Sequence, residues 1–129
     1  MPIKLNIVAR PNPLNREEPV RYYANAVHPS TMGVEELARQ IAKRCTLRES
    51  DVRGALIALM DVLPDELCKG SIVSFGEIGN FYVNVSSEGA NSAAEFTKGN
   101  LTGAKVVFQP TKKLKKQLLL IDYSLPTTA

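Results

Sequence analysis

The apolar residues of this chain switch repeatedly between two periods, and each switch marks an element. Ile3, Leu5 and Ile7 alternate loosely with Lys4, Asn6 and Val8, which predicts a strand over 3–9. Pro11, Pro13 and Pro19 then predict a loop over 10–19. Residues 20–27 are strand-like again and can pair with the first strand. From Val34 the period lengthens. Val34, Leu37, Ala38 and Ile41 fall at helical spacing, with Glu35 and Glu36 at the positive end of the helix dipole and Lys43 and Arg44 near its other end. Ser30, Thr31 and Gly33 offer helix starts. A second stripe, Val52, Ala55, Leu56, Leu59, Met60, Leu63 and Leu67, predicts a helix over 49–68, with a kink or early stop expected at Pro64. The short link from Cys45 to Arg48 makes the two an α-hairpin.

After Gly70, suited to a helix cap, the short period returns. Ile72, Val73 and Phe75 predict a strand, Gly76 to Gly79 a turn, and Phe81, Val83 and Val85 an alternating strand. Residues 86–104 are rich in Ser, Gly, Ala, Asn and Thr, with Phe96 and Leu101 as isolated apolar anchors. A third strand is predicted over 105–108. Thr111 can cap a last short helix carrying Leu114 and Leu118, and the tail to Ala129 is expected to be extended and partly disordered.

Composition narrows the function classes. The chain has 129 residues, 44% hydrophobic and 22% charged, which suits one globular domain. Its longest apolar run, Leu118 to Ile121, is too short to cross a bilayer, and the N-terminus does not resemble a signal peptide, so a cytoplasmic location is expected. Cys45 and Cys68 form no metal motif and are expected to be buried small apolar residues. His28 is the sole histidine and sits in a loop before Pro29. Gly76-Glu77-Ile78-Gly79 lacks the Lys-Ser/Thr of a phosphate loop. No nucleophile–base set is present, so neither an enzyme nor a metal, cofactor or small-molecule substrate is expected.

The net charge of +3 says little, but its distribution says more. Residues 96–116 hold Lys98, Lys105, Lys112, Lys113, Lys115 and Lys116 and no acid. Residues 71–95 hold Glu77, Glu88 and Glu95 and no base. The apolar stripe of the second helix, with Leu59 and Leu63, and the cluster of Phe75, Ile78, Phe81 and Phe108 exceed what so small a set of elements can enclose. A second copy is expected to cover them.

The order of two helices, strand, glycine corner, strand and Phe108-x-Pro110-x-x-x-Leu114-Lys115 resembles the HU and integration-host-factor family of bacterial histone-like DNA-binding proteins. The match over Leu67-x-x-Gly70-x-x-Val73 and Gly79-x-Phe81 belongs to the same pattern. Tyr22, Tyr23 and Ala24 resemble the HU-related branch with an N-terminal extension. The resemblance implies an α+β fold: an α-hairpin, a three-stranded antiparallel sheet with a β-arm, and a short C-terminal helix, preceded by a β extension. It divides the chain into an extension over 1–30, an HU-like domain over 31–118 and a tail over 119–129. It also implies an intertwined homodimer, located in the nucleoid, that holds double-stranded DNA with low sequence preference. The dimer core would contain Leu59, Leu63, Phe75, Ile78, Phe81 and Phe108.

Two features depart from the family. Glu77 and Thr111 stand where the family has glycine, and residues 86–104 contain no Arg and no Pro, so the arm lacks the family's proline wedge. Phosphate contact is therefore expected at Lys105, Lys112, Lys113, Lys115 and Lys116, and secondarily at Lys98 and Arg10. The alternative expectation is an HU-like dimeric scaffold for protein–protein interaction whose grip on DNA is weakened or lost.

Overall fold

A computed structural model describes residues 2–15 and 17–126. The chain divides into two compact units, residues 1–31 with 117–129, and residues 32–116.

The larger unit opens with the α-hairpin. Helix α1 spans Val34–Ala42 and α2 spans Glu49–Cys68. They pack against each other, and each buries an apolar residue, Ala38 on α1 and Val52 on α2. Pro64 neither stops α2 nor shortens it: the helix runs a full turn further, to Cys68. Proline removes only one backbone hydrogen bond, and the extra turn buries Leu67. The helix closes as sequence predicts. Gly70 has φ of 87°, its N–H donates to the Leu67 carbonyl, and the Ser71 N–H donates to the Glu66 carbonyl, a Schellman pair.

The expectation for the cysteines is corrected: both are exposed. Cys45 lies in the turn beyond α1, past the end of its apolar stripe. Cys68 directly follows Leu67, which takes the inward position.

A three-stranded sheet, ordered β3-β4-β5, completes this unit. Strand β3 is only Val73–Ser74, β4 spans Gly79–Ser87 and β5 spans Leu101–Pro110. The predicted first strand thus shrinks, and Ile72 is exposed. The third grows, because β4 and β5 stay paired as far as Ser87 and Leu101, with a register shift at Ser86/Ser87. Their hairpin forms the arm. Phe96 and Leu101 do not act as buried anchors: Phe96 is 42% exposed and Leu101 also faces solvent.

Register sorts the side chains of the sheet, since opposed residues share a face and faces alternate. Phe81 opposes both Val73 and Phe108, and Val83 opposes Val106, giving an apolar face. The Phe81 ring meets Phe75 edge-on at 5.3 Å and Phe108 at 4.8 Å. Helix α2 packs against β3 and β4. Even so, Leu59, Leu63, Phe75 and Phe81 are only half-buried, Phe108 is 40% exposed and Ile78 54%. Among the described residues, the buried apolar ones are Ala38, Val52 and Leu67.

The smaller unit is a second sheet, ordered β2-β1-β6. β1 (Ile3–Arg10) pairs antiparallel with β2 (Arg21–Ala26), as the sequence suggests. The C-terminal residues behave differently from a loose tail. β6, Tyr123–Ser124, runs parallel beside Ile3 and Lys4, and the Ile3 N–H donates to the Asp122 carbonyl at 2.8 Å. The part of the expected tail over 127–129 lies outside the described residues. One face of this sheet carries Ile3, Leu5, Ile7, Tyr22, Ala24 and Tyr123.

Candidate nucleic-acid interface

The lysine-rich end of the chain is held in place by Thr111. Helix α3 spans Lys112–Leu118. The Thr111 hydroxyl accepts the Leu114 N–H at 3.3 Å, capping the helix as predicted, and donates to the Glu77 carbonyl. The Thr111 N–H donates to the Ile78 carbonyl at 3.1 Å. The start of α3 is therefore tied to the glycine corner between β3 and β4, and a cap on a rigid turn fixes the direction of the helix.

That direction determines what the lysines do. Lys112, Lys115 and Lys116 are spaced i, i+3, i+4 and share one face. Leu114, half-buried, occupies the opposite face. Lys112, Lys115 and Lys116 are exposed and form no ion pair among the described residues. Lys113 lies about 100° round the helix from Lys112, and its ammonium meets the Glu77 carboxylate at 2.6 Å. An exposed pair of this kind contributes little stability, but it neutralises Lys113 locally. Glu77, which stands where a glycine was expected, thus has a partner.

Lys105 sits in the middle of β5, opposite Asn84. Its face of the sheet, the one opposite the phenylalanines, also carries Ser74, Asn80, Tyr82 and Gln109. With Val107 opposite Tyr82 as the apolar exception, these are hydrogen-bonding groups with one exposed cation among them. Sequence reasoning on charge alone missed this face. The polar positions at Asn80, Tyr82 and Asn84 are visible as alternation, but only the register adds Gln109 and Lys105 to them.

Lys98 lies farther out, in a single 3-10 turn at Lys98–Asn100. The turn closes the arm, with the Glu88 N–H donating to the Asn100 carbonyl at 2.7 Å and the Thr97 N–H to the Asn100 side chain at 3.0 Å. Around Lys98 the outer arm carries Glu88 and Glu95, so it is acidic where α3 is basic. Arg10 belongs to the smaller unit, where its guanidinium lies 5.8 Å from the centre of the Tyr23 ring. No three His, Cys, Asp or Glu side chains converge to hold a metal among the described residues. No helix among them is long and apolar enough to cross a membrane.

A family model described as "HU domain fused to wHTH, Ig, or Glycine-rich motif" matches residues 1–121. Among solved structures, the chain is similar to a protein of Bacteroides vulgatus ATCC 8482 provisionally described as bacterial and DNA-binding. The TM-score is 0.61 at 12% identity, over 95% of this chain and 47% of that one. The chain thus spans about half the length of that relative. It is also similar to HU from Anabaena, solved as a cocrystal with DNA: TM-score 0.51, 20% identity, over 67% of this chain and 97% of that one. At these identities the likeness concerns the fold. No curated protein matches.

Proposed function

Since the chain belongs to the HU-HIG family, we propose that it is a non-enzymatic, nucleoid-associated protein that binds duplex DNA with low sequence preference, as an intertwined homodimer. The observation that carries this reading is the cationic face of α3, formed by Lys112, Lys115 and Lys116, which has no ion pair among the described residues. Flexible ammonium groups suit phosphates, which fix position and carry no base sequence. Lys105 and the polar sheet face extend the cationic surface. Lys98 serves as an outlying contact. Lys113 joins only if DNA competes it away from Glu77.

The homodimer is supported by what one copy leaves open. Ile57 and Met60 on α2, with Ile78 and Phe108, are exposed apolar groups in a unit with few buried residues, and a second copy covering them would restore an ordinary core.

The test is a salt titration of binding to a random-sequence duplex. Neutralising Z phosphates gives a log–log slope of about −0.9Z, so replacing Lys112, Lys115 and Lys116 by Gln should flatten it by about 3 per protomer. An unchanged slope would place the DNA surface elsewhere. Absence of binding at about 50 mM salt, where phosphate contacts are strong, would favour the scaffold reading, for which the acidic outer arm is the motivating feature.

A further inference from the structure

The N-terminal sheet has a second face, and its composition differs from ordinary solvated surface. Register places Lys4, Asn6, Arg10, Arg21, Tyr23 and Asn25 together there, with Val8 as the apolar member. Mixed signs are usual on an exposed face; this one holds three cations and no acid. Arg10 and Arg21 are directly opposed across the strands, an arrangement that like charges disfavour. Neither has a carboxylate within ion-pair distance among the described residues. Glu18, which lines the same cleft of about 440 Å³, has its carboxylate hydrogen-bonded to Asn12 at 2.8 Å. The Tyr23 ring supports the Arg10 guanidinium. Two arginines opposed across the strands, sharing their cleft with the single carboxylate of Glu18, leave a net positive charge there that suits phosphate oxygens.

We propose that this face, centred on Arg10 and Arg21 with Lys4 about 20 Å further along the strand, is a second contact surface for the phosphate backbone of duplex DNA. The inference rests on the DNA-binding reading above and adds to it an independent surface. Non-specific binding would then draw on both units of the chain, and the N-terminal extension would enlarge the footprint on DNA.

The experiment uses the full chain and a random-sequence duplex, read by fluorescence anisotropy over a series of salt concentrations. The variant Lys4→Gln/Arg10→Gln/Arg21→Gln should bind more weakly at every sequence, with the log–log slope flattened by about 3 per protomer. The variant Arg10→Lys/Arg21→Lys keeps the charge and should keep the slope. If the triple variant does not fold, Arg10→Gln and Arg21→Gln singly should each flatten the slope by about 1. Wild-type binding with an unchanged slope in the Gln variants overturns this inference alone and leaves the lysine surface standing. Failure of the wild-type chain to bind removes both readings.

Discussion

The two sheets of this chain each have three strands and one apolar face, yet they hold those faces by different means. The central sheet packs internally: Phe75, Phe81 and Phe108 form a contiguous aromatic cluster, and α2 of the same unit lies against β3 and β4. The N-terminal sheet uses Ile3, Leu5, Ile7, alanines and the tyrosines Tyr22 and Tyr123, with no ring-to-ring contact and no buried residue among those described. Alternation alone makes both look alike in sequence. What separates them is the placement of the rings: Phe81 lies directly opposite Phe108, whereas Tyr22 lies opposite Ala9 and Tyr123 opposite Ile3. The central sheet should therefore carry folding stability and the N-terminal one should follow it.

Phe81→Ala tests this most severely. Loss of the central ring should cost about 3–5 kcal/mol, read by denaturant unfolding. In a homodimer the midpoint should also become more dependent on protein concentration. Ile7→Ala, at a position 46% exposed, should cost about 1 kcal/mol or less, because the side chain has little burial to lose. Equal costs for the two would break the comparison and mean that the N-terminal sheet is covered in the native assembly.

A smaller effect is expected where β4 begins. Gly79 has φ of 157°, and a Cβ there would meet the Gln109 carbonyl oxygen and lie 2.7 Å from Phe108 Cε1. Gly79→Ala should thus cost about 1–3 kcal/mol through overpacking at the aromatic cluster. Gly103, out along the arm, has no atom within 4 Å of such a Cβ, so Gly103→Ala should stay within about 0.5 kcal/mol. A large loss at Gly103 would show that the arm is packed against something in solution.

Much of this fold is legible in sequence, and the failures have local causes. Helix α2, the cap at Gly70 and the Thr111 helix start follow from period and capping chemistry. Of the kink or early stop expected at Pro64, the stop does not occur, because tertiary burial of Leu67 outweighs one lost hydrogen bond. β6 escapes notice because two residues have no period; only their pairing with β1 defines them. For the candidate site, the lysines stand out as a charge run. That Lys113 is engaged by Glu77, 36 positions away, follows only from three-dimensional proximity. The polar sheet face likewise depends on the register between strands distant in sequence.

The weakest expected effect concerns the α-hairpin, whose surface holds side-chain hydrogen bonds that the strands of the N-terminal sheet do not show among the described residues. Glu36 accepts a hydrogen bond from the Gln40 amide at 3.0 Å and one from Arg39 at 2.6 Å. The Gln40 hydrogen bond chiefly, then the Arg39 charge with a contribution from Lys43, lowers its pKa below the ordinary 4.5, against slight opposition from desolvation. A carboxylate with a lowered folded-state pKa stabilises the native state above its unfolded value, and that contribution is lost as pH falls through the folded value. Glu36→Gln should therefore melt slightly below wild type at neutral pH, and the gap should close as the solution is acidified through that range. The group is at the surface, so the gap should be small and should shrink with added salt. A gap that widens on acidification would mean that the carboxylate does not interact as its neighbours suggest, and that the hairpin owes its stability to its buried apolar residues alone.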